Sequence, residues 1–256
     1  MINLSESKTE IPTCNILGVN IAAINMEWVL NYIEENLNNG VNNMAGKYIC
    51  VSNVHTTITS LDNPSYCDIQ NNALMAIPDG GPLSTVAKLR GYKNVERVTG
   101  PDLMNEIFKL SSDKGYRHFF YGSTEDTLTK MKEKIENKYN INIVGTYSPP
   151  FRPLTEVEEK EIIKLINQTK PDFIWVGLGA PKQEEWMSSH KEEVLGLMIG
   201  VGAGFDYFAE KIKRAPVLMQ RLNLEWLYRL IQDPKRLFKR YLYTNTKFLW
   251  YLLSKK

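Results

Sequence analysis

Residues 176–186 read V-G-L-G-A-P-K-Q-E-E-W and follow Asp172-Phe173-Ile174-Trp175. A short apolar run between a proline, Pro171, and a glycine turn reads as a buried strand. Gly177 and Gly179 let the backbone turn tightly or come close to a ligand. Pro181 suits the first turn of a helix, where its missing N–H is no loss. Lys182, Gln183 and Glu184 then lie on that first turn, at the carboxyl end of the strand. Ligands of open α/β sheets bind at that edge. A helix N-terminus there favours an anion, and Lys182 adds a full positive charge.

The same alternation extends in both directions. Apolar runs at 15–21, 48–51, 74–77, 118–121, 141–146 and 195–201 read as further strands. Amphipathic stretches at 26–37, 56–61, 65–73, 82–89, 103–112, 124–138 and 156–169 read as helices, with Ser123 as the cap of the helix over 124–138. Residues 1–13 read as loosely attached, 38–46 as a polar loop and 147–153 as a proline-rich loop. Strands alternating with helices predict an α/β fold: a mainly parallel, Rossmann-like sheet with flanking helices. A helical C-terminal appendage completes it.

The net charge of +2 hides an asymmetry. Residues 211–256 hold 12 Lys/Arg and two acids, Glu225 and Asp233, so the tail carries +10. The preceding 210 residues carry 19 bases and 27 acids, a net −8. The division predicted is therefore 1–210 as catalytic body and 211–256 as basic amphipathic appendage. Such a tail points to a polyanion: a membrane surface, nucleic acid or pyrophosphate. Leu, Trp, Tyr and Phe interleaved with the charges suit an interfacial helix pair on an anionic leaflet, or helices that cover the sheet. Cys14, Cys50 and Cys67 have no metal-ligand spacing and fit a reducing compartment. The first ten residues are polar, and no apolar run approaches the roughly 18 residues of a membrane span. The expected location is the cytoplasm, peripheral on the cytoplasmic face of the membrane.

The stretch G-L-G-A-P-K-Q-E-x-W (177–186) resembles the central signature of the WecG/TagA/CpsF glycosyltransferases. Five more fragments agree in order: I-P-D-G (77–80), E-R-V-T-G-P-D-L (96–103), G-V-G-A-G-F-D (200–206), K-R-A-P (213–216) and E-W-L-Y-R-L (225–230). The resemblance runs from about Asn15 to the C-terminus. It implies an inverting, metal-independent transfer from a UDP-sugar, typically UDP-N-acetylmannosamine. It implies a polyprenyl-diphosphate-linked N-acetylglucosamine acceptor in wall teichoic acid, enterobacterial-type antigen or capsule assembly. Another UDP-hexose donor in exopolysaccharide synthesis is the alternative. No cofactor and no nucleic-acid partner are expected, and a homo-oligomer is compatible with the sequence.

Asp79, Asn53 and Arg97 are the catalytic candidates. Asp79 stands in a strand-end P-D-G-G turn, and a carboxylate in a partly dry cleft can serve as general base. By spacing alone the residue reads rather as a turn former chosen for its local hydrogen bonds. The resemblance reverses that order and makes it the base. Arg97 reads as a contact to the donor diphosphate or leaving UDP, or as a surface ion pair. Asn53 ends a strand on the same edge, and His55 reads as a structural histidine. Many relatives place a threonine two positions before this asparagine. Val51 stands there, so a hydroxyl role passes to Ser52 or is lost. Further candidate substrate contacts are Gly80, Gly179, Lys182, Gln183, Glu184, Gly202, Asp206, Arg229 and Arg236. Lys182 and Gln183 read equally as ordinary helix surface, and Asp206 as a helix cap. Arg229 and Arg236 lie seven apart, nearly one helix face, although Pro234 stands between them.

The chain has no D-x-D, the pair with which many nucleotide-sugar transferases hold a divalent cation. No metal ligand is expected, and protein cations must neutralise the leaving group. Two other classes fit single features. A nucleotide-dependent oxidoreductase would use the glycine turns, but G-x-G-x-G-F is not the dinucleotide fingerprint and no ribose-binding acid follows it. A non-catalytic membrane-surface or nucleic-acid module would use only the tail.

Overall fold

The computed structural model describes residues 10–38 and 43–254. The stretch read as loosely attached lies outside the described residues as far as position 9. Pro12 already joins the sheet edge, its carbonyl accepting from the Ala23 N–H at 2.7 Å. The single strand expected at 15–21 is instead an antiparallel hairpin of β1 (Thr13–Ile16) and β2 (Val19–Ala22). Leu17 and Gly18 take φ of 51° and 97°, the backbone that matches a two-residue turn to the strand twist. A buried leucine in a place that usually reads as Asn, Asp or Gly hid this turn from the sequence.

α1 (Met26–Asn38) leads to β3 (Tyr48–Ser52), and α2 (Val54–Asp62) with α3 (Pro64–Asn71) to β4 (Met75–Pro78). Of the loop read at 38–46, residues 39–42 lie outside the described residues. α4 (Gly81–Leu89) and α5 (Gly100–Lys114) precede β5 (Arg117–Gly122). α6 (Glu125–Lys138), β6 (Asn142–Tyr147), α7 (Glu156–Gln168), β7 (Phe173–Gly177), α8 (Lys182–Ser189), β8 (Leu197–Gly200) and α9 (Gly204–Phe208) complete the body. The cap of α6 is Thr124, not Ser123: Thr124 Oγ1 accepts from the Thr127 N–H at 3.2 Å. Gly122 and Ser123 are both used up in left-handed backbone, with φ of 124° and 58°, so the helix starts one place later. Pro181 occupies the cap position of α8, one place before the first helical residue.

The strands form one sheet in the order β1-β2-β4-β3-β8-β7-β5-β6, parallel in every pairing after the hairpin. Both faces are covered, so strand residues are apolar on both sides. Ile49, Val51, Phe173 and Trp175 face α1, α5 and α6, while Cys50, Ile174 and Val176 face α2, α4, α7 and α8. Ser52 pairs with Pro78, Cys50 with Gly200 and Val176 with Gly200. The carboxyl ends of β4, β3, β8 and β7 therefore finish level and side by side.

The tail is helical: α10 (Val217–Arg221), α11 (Glu225–Gln232) and α12 (Pro234–Ser254). Pro234 does break the helix, so Arg229 and Arg236 stand on different helices. α12 packs on α2. Phe248 and Leu237 are buried, Lys247 pairs with Asp62, and Tyr243 Oη donates to Asp62 at 2.8 Å. Phe238, Leu242, Leu249 and Leu253 stay exposed at spacings that share one side of α12. Among the described residues no helix is long and apolar enough to cross a membrane.

Phe248→Ala should lower stability by about 3 kcal/mol, as large-to-small core changes do, read from urea unfolding. Phe238→Ala, on the exposed side, should change it by less than about 0.5 kcal/mol. Equal, small effects would mean that α12 does not pack on the body.

Candidate active site

Asn53 and Asp79 meet at the ends of β3 and β4. The Asp79 N–H donates to the Ser52 carbonyl at 2.8 Å, which levels the two turns. Asn53 caps α2: its Oδ1 accepts from the N–H groups of His55, at 2.9 Å, and Thr56, at 3.3 Å. With its oxygen committed to the helix, the amide NH2 is left facing Asp79, where it favours the ionised carboxylate. Asp79 is half-buried, and its carboxyl is pushed up to about 6. Desolvation is the main cause and the nearby Glu225 carboxylate adds to it; Arg97, Arg229 and the Asn53 amide pull the other way.

Two arginines, Arg97 and Arg229, act on this pair. The Val98 N–H donates to the Pro78 carbonyl at 2.8 Å, which fixes Arg97 beside the Asp79 turn. Arg97 Nη1 in turn donates to Glu225 Oε2 of α11 at 2.7 Å. The Arg229 guanidinium lies 5.7 Å from the centre of the Tyr207 ring. Arg229, Arg236 and Lys211 line a cleft of about 390 Å³ together with Ile212, Gln232, Asp233 and Leu237. Arg229 and Arg236 line this cleft from two different helices, not from the one helix face expected. Burial pushes the Asp206 carboxyl up, against the pull of Lys211, Arg236 and Arg229. Arg214 grips Asp102 through both Nη atoms, the second at 3.0 Å, and joins the tail to the head of α5.

The glycine turns are organised from beneath. Gln183 Oε1 accepts from the Gly179 N–H at 3.1 Å and the Gly202 N–H at 3.0 Å, and Nε2 donates to Glu184 Oε1 at 2.7 Å. Gln183 and Glu184 are both buried; the Gln183 amide is spent on the two turns and on Glu184 Oε1. Burial pushes the Glu184 carboxyl up to about 7. Ser52 is likewise fully buried and gives its hydroxyl to Gln70 Oε1 at 2.6 Å. Lys182 is exposed. Gly179, with φ of 79°, faces open space, as a close approach to a ligand requires.

The edge of four parallel strands, with a half-dry carboxylate and two facing arginines, has a counterpart in sequence. The family model described as "Glycosyl transferase WecG/TagA/CpsF family" matches residues 14–256. The chain belongs to the WecG/TagA/CpsF glycosyltransferase family. Among curated WecG/TagA/CpsF relatives, the N-acetylglucosaminyldiphosphoundecaprenol N-acetyl-beta-D-mannosaminyltransferase of Bacillus subtilis (strain 168) is 31% identical over 215 residues, 83% of this chain and 80% of its own length. The enzyme of the same name from Staphylococcus aureus (strain MW2) is 28% identical over 235 residues, 91% of this chain and 89% of its own.

Nothing in the sequence marks Glu225 or Asn223 as neighbours of the Asp79 turn in this WecG/TagA/CpsF site. Both lie more than 140 positions away, and no pattern joins them to it. Gly80 caps α4, while Gly81 touches the tail: a Cβ there would lie 2.5 Å from Asn223 Cβ and 2.1 Å from its Cγ. Helix propensity favours alanine over glycine in α4 by about 1 kcal/mol, so the glycine is needed for the contact. Gly81→Ala should lower transfer at least about tenfold, since tenfold is only 1.4 kcal/mol, with the body's melting temperature unchanged or raised. Full activity in that variant would remove the tail contact from the working enzyme.

Proposed function

We propose that the protein transfers N-acetylmannosamine, with inversion, from its UDP-sugar to a polyprenyl-diphosphate-linked N-acetylglucosamine. The observation that carries this reading is the Asp79 carboxylate, partly desolvated and faced by Asn53, Arg97 and Arg229. Asp79 takes the proton of the acceptor hydroxyl as that oxygen attacks the anomeric carbon from the face opposite the diphosphate. The bond from the anomeric carbon to the UDP oxygen breaks, and UDP leaves with the electron pair. Arg97, Arg229 and Arg236, aided by Lys211 and Lys182, meet the charge that develops. Gly179, Gly202 and Gly80 let substrate approach the backbone, and Asp206 holds a sugar or ribose hydroxyl.

The printed names of the Bacillus and Staphylococcus relatives support this donor sugar and acceptor. The basic tail, with its exposed apolar side on α12, supports a peripheral seat on an anionic membrane, where such an acceptor resides. The division into body 1–210 and appendage 211–256 belongs to the same reading. The oxidoreductase alternative loses ground, because the G-x-G-x-G-F turn lacks the dinucleotide spacing and a following acid for the ribose.

The base must be ionised, so kcat/KM should rise with pH through about 6 and fall tenfold per unit below it. The sign for stability is opposite. A carboxyl raised above its unfolded value binds its proton better when folded. Its contribution is present at low pH and lost as pH climbs through about 6. Asp79→Asn should therefore lose about 10²- to 10⁴-fold in kcat, still bind UDP, and melt no lower than wild type at pH 8. A near-normal kcat would remove Asp79 from the mechanism.

The two facing arginines and the absence of D-x-D support transfer without a divalent ion. Turnover measured in excess EDTA should equal turnover in magnesium. Loss on chelation with recovery on adding magnesium or manganese would overturn that part of the reading.

A further inference from the structure

Glu225 is a carboxylate that the tail carries into a site otherwise rich in cations. It stands in the first turn of α11, where the helix dipole favours a negative charge. Its contact with Arg97 is mostly out of water, with side chains 15% and 17% exposed. Anchoring the tail does not call for an ion pair in this place, since Lys247 and Tyr243 already tie α12 to Asp62. A guanidinium carries five N–H donors in a fixed fork. Glu225 engages Nη1, and among the described residues no hydrogen bond is made by Nε or Nη2 of Arg97. The remaining edge is the one that grips a phosphate in a bidentate way.

We propose that Glu225 is a positioning residue for the transfer: from the tail it holds Arg97 beside Asp79 with the Nε/Nη2 edge free for phosphate. This rests on Asp79 as the base and Arg97 as the phosphate contact. The groups that face Asp79 are Arg97 ahead of α5, Arg229 and Glu225 on α11, Asn53 at the head of α2 and Tyr207 on α9. Those that face Glu225 are Arg97, Arg214 and Tyr207. Without Glu225 the two arginines act on Asp79 opposed only by its burial. Asp79 then holds a proton less well and becomes a weaker base. An undocked tail likewise loses the hold on Arg97, but it takes Arg229 away from Asp79 together with Glu225.

The test compares full-length wild type with Glu225→Gln and Glu225→Ala, all checked for thermal unfolding. It measures kcat/KM against pH and UDP affinity by calorimetry. Both variants should move the acid limb below its wild-type position by roughly half a unit to one unit. Glu225→Gln, whose amide oxygen still accepts from Arg97, should keep UDP affinity within about threefold, whereas Glu225→Ala should lose about tenfold. An acid limb unmoved in both variants, or UDP affinity intact in Glu225→Ala, overturns the proposal. Should Glu225→Ala not fold, Glu225→Asp replaces it: a limb that moves with Asp, which keeps the charge, and stays with Gln overturns it equally. The reading of Asp79 fails separately, on a wild-type profile without a limb near pH 6 or on an active Asp79→Asn.

Discussion

A carboxylate drawn partly out of water next to arginines is the condition on which this site depends. Desolvation favours the protonated form of Asp79. Arginines favour its ionised form and make it a weaker proton acceptor. The structure sets burial and Glu225 on one side and Arg97, Arg229 and Asn53 on the other, and the carboxyl ends near 6. That is close enough to neutrality to be both ionised and basic. The sheet makes this balance possible, because level carboxyl ends at β3 and β4 put the Asn53 cap beside the Asp79 turn.

Polar groups beneath the site follow a second rule, that buried donors and acceptors find partners. Gln183 joins both glycine turns through one oxygen, and Ser52 closes on Gln70. These residues look like ligand contacts in a motif, since they are polar and stand at the right edge. Their polar atoms are already used inside the chain. They keep the turns rigid, so that the groups left over, Asp79, Arg97 and the open face of Gly179, hold their places.

The body was legible in the sequence because its signals are local. Apolar runs, proline and glycine punctuation and alternating strand and helix lengths led to the parallel sheet, and P-D-G-G and G-L-G-A-P-K-Q-E to its working edge. The hairpin at Leu17-Gly18 and the cap at Thr124 were missed where tertiary burial or a left-handed residue moved a boundary. The tail was legible as charge but not as geometry. Arg229 and Arg236 converge across the break at Pro234, and Glu225 reaches Arg97 from 128 positions away. No periodicity spans such a distance.

The touching of Gly81 and Asn223 has a consequence for how the chain can be recombined. Asn223 takes a left-handed backbone, φ 59°, to bring its side chain onto a glycine that has no room for a methyl. Tail and body thus fit as lock and key at one atom's width, beside the Asp79 turn. A chimera that joins this body to a relative's appendage has to carry positions 81 and 223 as a matched pair. Otherwise it joins two sound halves whose arginines and carboxylate never come into register.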